Sequence, residues 1–301
     1  MQQPLAVTIV GGYLGAGKTT LVNHLLRHAN GRRLAILVNE FGALPIDEDL
    51  IDAKSEDLIS IAGGCVCCSF GSDLTAALIR LSERLPKPDH IIIESSGVAM
   101  PGAIAANIGL MEQYLLAGIV VLADSETILT HATDEFIGDT IIRQLNDADL
   151  IVQTKNDLVS RDHRKAVGQW FVDNYSDSHM LKAEQGKVPS DVILGLFAAR
   201  DEISFSSHGD DLYDSAVFEL SQQCDAYQLG KALSYDSVGI VRAKGFVIDE
   251  DGQTQLLQVM GSRFNVTRYG ASAKAQICCI GLRNKFNRVE LENIIIRLSN
   301  R

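Results

Sequence analysis

The residues from Gly11 to Thr20 have the composition and spacing of a loop that binds phosphate groups. This run, GGYLGAGKTT, follows a short apolar stretch, and its core fits the pattern G-x-x-x-x-G-K-T of nucleotide triphosphatases. Glycines let the backbone curl and turn its N–H groups inward, and the helix that we expect to begin near Lys18 adds its positive end. A glycine-rich turn that only joins a strand to a helix is the alternative, but a strand before and a helix after are the context that supports the motif.

The side chains of this loop have expected roles toward a nucleotide triphosphate. The Lys18 ammonium group would neutralise the β- and γ-phosphates, and the Thr19 hydroxyl would hold a magnesium ion. We therefore predict a nucleotide site in which Lys18 is also catalytic. Its predicted contacts in this loop are Gly12, Gly15, Ala16, Gly17, Lys18, Thr19 and Thr20.

The tetrapeptide ESSG at positions 94–97 follows the apolar run HIII. In triphosphatases an acidic residue at this place orients magnesium, and a nearby glycine N–H can sense the γ-phosphate. Taken alone, the tetrapeptide is better explained as a solvated turn. At a strand end and downstream of a phosphate loop it favours a function, so we predict a catalytic Glu94 and a nucleotide contact at Gly97.

A second polar motif, TKND at positions 154–157, follows the run DLIVQ and resembles the guanine-reading signature N-K-x-D. The Asp157 carboxylate would accept hydrogen bonds from guanine N1 and its amino group, which adenine cannot offer. The Lys155 stem would lie along the base, and Thr154 replaces the usual asparagine while keeping a hydroxyl that can form hydrogen bonds. A charged turn that caps a strand is the alternative, and the motif favours GTP over ATP.

Three cysteines within four residues, Cys65, Cys67 and Cys68, follow a Gly-Gly pair. Thiolates at this density suit zinc, cobalt or copper(I), and Glu40 at a neighbouring strand end could complete a metal site. A redox dithiol and plain buried cysteines are the alternatives. The remaining cysteines lack this spacing and are interpreted as packing residues: Cys224, Cys278 and Cys279.

The order of apolar runs and helical patterns predicts an α/β fold. Its expected elements include strands at 34–38 and 118–123 and helices at about 135–145, 161–175 and 226–233. Apolar strands that alternate with helices indicate a mostly parallel sheet wrapped by helices, and ligands bind at the C-terminal ends of such strands. Every polar motif above comes just after a strand, so we expect them to converge on one edge. The predicted organisation is a P-loop GTPase domain at 1–203, a polar linker at 204–214 and a smaller α+β domain at 215–301.

Composition excludes several classes of protein. The 301 residues are 46% hydrophobic and 22% charged, which is ordinary for a globular protein, and the net charge of −11 argues against nucleic acid as a partner. The first apolar run is too short for a signal peptide, and no stretch reaches the roughly 18 apolar residues of a membrane span. We expect a cytoplasmic protein with reduced thiols and no membrane association.

Five motifs together resemble the CobW-like GTPases, which are related to the nickel-insertion GTPases of urease and hydrogenase maturation. The resemblance reaches the second domain, through GIVRAKGFV at 239–247. It implies slow GTP hydrolysis to GDP, coupled to binding of zinc, cobalt or nickel near Cys65, Cys67, Cys68 and Glu40, and delivery to a client metalloprotein. A nucleotide-dependent homodimer is compatible with it. The motifs are GGYLGAGKTT, NEFG at 39–42, GGCVCC at 63–68, ESSG and TKND.

Two other functions remain open from the sequence. A P-loop ATPase or kinase with structural cysteines would prefer ATP and transfer a phosphoryl group to a small acceptor. A thiol redox sensor linked to GTP would need a thiol of low pKa and would produce a disulfide instead of a delivered metal. The expected function is nevertheless a GTP-hydrolysing metallochaperone, most readily for zinc.

Overall fold

A computed structural model describes most of the chain, and four of the predicted metal ligands fall outside the described ranges. Those four are Glu40, Cys65, Cys67 and Cys68. The described ranges are residues 4–29, 31–38, 58–60, 72–83, 86–183, 185–195, 213–220, 223–235, 238–270 and 273–299.

The chain divides into two compact units, of which the first comprises Pro4–Ser176 and Met180–Val188. Its strands and helices alternate along the chain. They are β1 Leu5–Gly12, α1 Lys18–Arg27, β2 Leu34–Val38, β3 Leu58–Ser60, α2 Ser72–Glu83, β4 His90–Glu94, α3 Pro101–Gly109, β5 Tyr114–Asp124, α4 Ile128–His131, α5 Gly138–Asn146, β6 Leu150–Thr154, α6 Arg161–Tyr175 and β7 Met180–Lys182.

The seven strands of this unit form one sheet in the order β3-β2-β4-β1-β5-β6-β7, and neighbouring strands run parallel. Strands β2, β4 and β6 are buried along their whole length, because apolar side chains pack on both faces of a helix-covered parallel sheet. Strand β1 lies between β4 and β5, so the loops that follow these three strands meet at one edge.

The second unit comprises Asp177–His179 and Pro189–Arg301, and the first three residues of the chain are grouped with it. Its sheet is antiparallel, in the order β11-β10-β9-β12-β8, and the side chains of α8 and α9 pack into its core. Its elements are α7 Ser190–Leu194, β8 Tyr213–Glu219, α8 Ala226–Leu233, β9 Ile240–Ile248, β10 Thr254–Met260, β11 Arg263–Arg268, β12 Gln276–Leu282 and α9 Arg288–Ser299.

This architecture confirms the predicted fold class, a parallel sheet wrapped by helices followed by a smaller α+β unit. Strand β8 begins at Tyr213, so the last two residues of the predicted linker lie in a strand. The rest of that linker lies outside the described residues, and the predicted domain limits stay a prediction. No helix in the described ranges is long and apolar enough to span a membrane.

Strand β5 and helix α5 begin at residues that differ from the prediction, and the structure gives a physical reason for each. Strand β5 begins four residues before the expected Gly118, because Ala117 forms a bulge that lets Tyr114 continue the pairing with β1. The helix expected from about residue 135 begins at Gly138 instead. The Asp134 carboxylate accepts hydrogen bonds from the backbone N–H groups of Phe136 and Ile137, and this turn delays the helix.

The three cysteines within the described ranges are buried in the second unit as thiols. Burial is the main cause that raises the pKa of Cys278 to about 12, with the nearby Asp191 carboxylate adding to it. Burial also raises the pKa of Cys279 well above its ordinary value. Thiols in this state are poor nucleophiles near neutral pH, which agrees with their interpretation as packing residues.

Candidate nucleotide-binding site

The loop between β1 and α1 has the backbone shape that its glycines permit. At Gly12 the φ angle is +131°, and a Cβ atom would lie 2.6 Å from the carbonyl oxygen of Leu122 in the neighbouring strand β5. Gly17 caps α1 in the left-handed conformation. Gly15 also has a positive φ, and open space surrounds its Cβ position, so the loop leaves room for a ligand on that side.

The Lys18 ammonium group lies across this loop. Its Nζ donates hydrogen bonds to the carbonyl oxygens of Gly12, at 3.0 Å, and Tyr13, at 3.3 Å. Only 9% of the residue is exposed. These contacts fix the positive charge at the N-terminal end of α1, where a phosphate group would also meet the helix dipole.

The Thr19 hydroxyl donates a 2.8 Å hydrogen bond to Oε1 of Glu94. The contact exists because β1 and β4 are neighbours in register, and Glu94, the last residue of β4, pairs with Val10 two residues before the end of β1. Glu94 is 3% exposed. A hydroxyl and a carboxylate are hard oxygen donors, the kind that magnesium prefers. The two residues predicted to serve magnesium are therefore in direct contact.

The turn that follows β4 packs against the phosphate loop. Ala99 donates its N–H to the carbonyl oxygen of Ser96 at 3.0 Å, which closes the turn. A Cβ atom on Gly97 would lie 2.7 Å from the backbone nitrogen of Leu14, so only glycine permits this approach. Gly97 thus lies against the phosphate loop, and its nucleotide contact stays a prediction.

At the opposite end of the site, Thr154 joins the TKND motif to the phosphate loop. Its hydroxyl donates a 2.9 Å hydrogen bond to the carbonyl oxygen of Ala16. The hydroxyl expected to substitute for a side-chain amide therefore holds two loops together. Two other predicted nucleotide contacts are exposed to solvent. They are Asp157 of the same motif and Thr20 in the first turn of α1.

Lys155 is held by two carboxylates in a left-handed backbone conformation with φ of 56°. Its Nζ lies 2.7 Å from Oδ2 of Asp124 and 3.4 Å from Oε2 of Glu126. Burial opposes the charge on Lys155, but the two carboxylates outweigh it and raise the pKa of the ammonium group. These ion pairs fix the ammonium end of Lys155, and the predicted contact of its stem with a base stays a prediction.

Residues 6–180 match the family model described as CobW/HypB/UreG, nucleotide-binding domain. The chain belongs to this family. It is 30% identical to a zinc chaperone CobW from Sinorhizobium sp over 315 residues, which cover 88% of this chain and 87% of that protein. The zinc chaperone YjiA of Escherichia coli K12 is 37% identical over 164 residues, covering 52% and 50% of the two chains.

A crystal structure of a Zn(II)-bound triple mutant of the YjiA GTPase also resembles this CobW/HypB/UreG family member. The superposition covers 99% of this chain and 100% of that one, at 20% sequence identity and a TM-score of 0.43.

In this CobW/HypB/UreG family member, three side chains of the site were not predicted from the sequence. Asp124 and Glu126 hold Lys155, and Gln144 of α5 donates hydrogen bonds to the turn after β4. Asp124 ends strand β5 at the same sheet edge as the predicted motifs, so the rule that located Glu94 could have located it. Gln144 lies inside a helix and gives no such signal.

The predicted ligands for a transition metal lie outside the described residues. Within the ranges described above, no group of three or more His, Cys, Asp or Glu side chains could hold a metal ion. The predicted ligands Cys65, Cys67, Cys68 and Glu40 are all outside those ranges, so their assignment stays a prediction.

Proposed function

We propose that this chain is a slow GTPase that binds a transition metal and delivers it to a client metalloprotein under the control of the bound nucleotide. The contact between Thr19 and Glu94 carries the nucleotide part of the proposal: it is 2.8 Å long and joins a half-buried hydroxyl to a carboxylate that is 3% exposed. It joins a phosphate-loop hydroxyl to a strand-end carboxylate, and this pairing suits a magnesium–nucleotide complex better than it suits a structural turn.

The residues of the phosphate end would stabilise the transferred phosphoryl group. The loop N–H groups and the Lys18 ammonium group would bind the β- and γ-phosphates, and Thr19 and Glu94 would hold magnesium. That ion would supply further neutralisation of the charge on the phosphate oxygens. Catalysis through position and charge alone predicts slow turnover, which a partner protein could accelerate.

The residues of the base end would select guanine. The exposed Asp157 carboxylate would accept the two guanine hydrogen bonds, and Asp124 fixes the ammonium group of Lys155, two residues earlier in the chain. This arrangement supports GTP over ATP, and so disfavours the kinase alternative.

Zinc is the first candidate for the metal. Relatives that match over most of their length are named zinc chaperones, among them CobW of Pseudomonas aeruginosa, which is 29% identical over 308 residues. The proposed ligands are Cys65, Cys67 and Cys68, with Glu40, and all of them follow the phosphate loop in the chain. Metal would be held in the GTP state and released after hydrolysis, when the γ-phosphate no longer orders the segments around it.

Zinc affinity in different nucleotide states tests this proposal. The reduced protein would be titrated by chelator competition without nucleotide, with GDP, and with a non-hydrolysable GTP analogue. We expect the analogue to raise zinc affinity tenfold or more, a coupling free energy of about 1.4 kcal/mol. The double variant Cys67→Ser/Cys68→Ser should lose the coupling while binding nucleotide normally.

The opposite result would be equally informative. If zinc affinity is the same in all three states, zinc delivery by a GTP switch is wrong, and the titration should be repeated with cobalt and nickel. If those ions also ignore the nucleotide, the metallochaperone function is contradicted even where GTP is hydrolysed.

A further inference from the structure

The side chain of Gln144 is buried between α5 and the turn that follows β4. It is 2% exposed, and its Nε2 donates one hydrogen bond to the carbonyl oxygen of Gly97, at 3.0 Å, and another to that of Ala99, at 2.8 Å. Because both partners are carbonyl oxygens, the NH₂ end of the amide must face them. One side chain therefore bonds two carbonyl groups of the same turn.

These bonds join the turn to α5. The carbonyl oxygen of Ser96 accepts from the N–H of Ala99 within the turn, and the N–H of Ser95 donates to the carbonyl oxygen of Val10 in β1. With Gln144 added, the carbonyl groups at 96, 97 and 99 are all bonded. The orientation of the peptide groups around Gly97 is then set from one side by α5 and from the other by contact with Leu14.

Helix α5 does not need Gln144 for its packing. Ile141 and Leu145 are 4% and 3% exposed and belong to the apolar core of the unit. Gln144 instead lines a cavity, together with Tyr13 and Leu14 of the phosphate loop. The amide of Gln144 therefore links α5 to the turn through hydrogen bonds. Because a cavity lies beside it, close packing alone does not fix the turn.

We propose that Gln144 is a positioning residue that lets the site distinguish GTP from GDP. GTP and GDP differ only by the γ-phosphate, and Gly97 is the group of this turn that lies against the phosphate loop. A turn held in one orientation presents its backbone N–H to the γ-phosphate without a cost of reordering, and GDP gains nothing from it. The inference rests on the proposed function, since it concerns the same nucleotide site.

The test compares nucleotide affinities in the variants Gln144→Met and Gln144→Leu. Each replaces the glutamine by an apolar side chain of similar volume and removes both N–H donors of its amide. Gln169→Leu is the matched control, because Gln169 donates only to Asp173 on the exposed side of α6. We expect the ratio of GTP-analogue affinity to GDP affinity to fall about tenfold, within the usual range of coupling between sites. The GDP affinity of the Gln144 variants should stay within about twofold of the wild type, and so should both affinities of the Gln169→Leu control.

Two further measurements separate this role from a structural one. Single-turnover GTP hydrolysis should slow in both Gln144 variants, while thermal unfolding of the GDP-bound protein shows whether each variant is folded. Hydrogen exchange on the wild type gives a result that needs no variant. Exchange in the peptides that cover residues 96–100 and 143–146 should slow with the GTP analogue and not with GDP.

The outcomes distinguish the inference from the proposed function. A wild-type protein that does not hydrolyse GTP contradicts the proposed function. A wild-type protein that hydrolyses GTP, with an unchanged affinity ratio in a folded Gln144 variant, overturns the inference alone. If neither variant folds, equal exchange of residues 96–100 in the GDP and GTP-analogue states overturns it.

Discussion

The two ends of the nucleotide site are built differently. At the phosphate end, Lys18 and Glu94 are 9% and 3% exposed, and each forms a hydrogen bond with a residue of the phosphate-loop motif, Gly12 and Thr19 respectively. At the base end, the side chain of Lys155 is 31% exposed and Asp157 is exposed. The phosphate end is preorganised, whereas the base end remains open to solvent.

The order of strands in the sheet explains this difference. The phosphate end follows β1 and β4, which lie in the middle of the sheet, where each is hydrogen-bonded to a strand on either side. The base end follows β6, and among the described strands its neighbour on the far side is β7, a strand of three residues at the edge of the sheet. A preorganised and buried charge suits catalysis, because it needs no reorganisation during the reaction. An open carboxylate suits selection of a base that arrives from solvent.

The largest effect is expected at the phosphate end, from Lys18→Ala. Removing the buried ammonium group takes away charge stabilisation and leaves the carbonyl oxygens of Gly12 and Tyr13 without its hydrogen bonds. We expect the single-turnover rate of GTP hydrolysis to fall at least about a hundredfold. Lys165→Ala, at an exposed position on α6, is the control. A rate within threefold of the wild type in Lys18→Ala would contradict the assignment of this end to catalysis.

A smaller effect that changes specificity is expected at the base end, from Asp157→Asn. The asparagine offers one acceptor and one donor, which fit xanthine better than the two donors of guanine. GTP affinity should fall about tenfold to a hundredfold, since a hydrogen bond to a charged group contributes about 1.5–3 kcal/mol. XTP affinity should rise in the same variant.

Nucleotide competition measures this change, with ATP beside GTP and XTP. Because the expected contact of Asp157 is with the base and not with the phosphates, hydrolysis at saturating nucleotide should change little. An unchanged preference for GTP over XTP would remove Asp157 from the base site. A wild-type preference for ATP would favour the kinase or ATPase alternative.

Local sequence patterns predicted part of this structure, and the phosphate end in particular. Elements with strong local patterns were predicted with their observed limits, such as β2 at Leu34–Val38, α6 at Arg161–Tyr175 and α8 at Ala226–Leu233. Apolar runs specify buried strands, and helix periodicity specifies one buried face. Adjacency at the sheet edge then brings Thr19 to Glu94, so the phosphate end followed from motif and fold together.

What escaped prediction depends on contacts between distant residues. Gln144 has the sequence context of an ordinary polar residue on a helix, and only the tertiary fold buries it against the Gly97 turn. The ion pair of Lys155 needs β5 and β6 to be neighbours, with Asp124 opposite Thr154. The bulge at Ala117 depends on a register with β1 that no local pattern encodes.

The smallest effect is expected from Asp124→Asn, which removes the charge that holds Lys155. The contact is short, at 2.7 Å, but Lys155 is partly exposed, so solvent screens the pair. Exposed pairs contribute about 0.2–1 kcal/mol, which corresponds to a GTP affinity lower by up to about fivefold. GDP affinity should fall equally, because the change affects the base and not the phosphates.

The control is Asp89→Asn, which breaks an ion pair with Arg33. Asp89 comes just before β4, at the opposite end of the parallel strands from the candidate site. The loss should shrink at 1 M salt, where the screening length is about 3 Å. A loss confined to GTP, with GDP unaffected, would mean that Asp124 serves the phosphate end and that the two ends are less separate than their burial indicates.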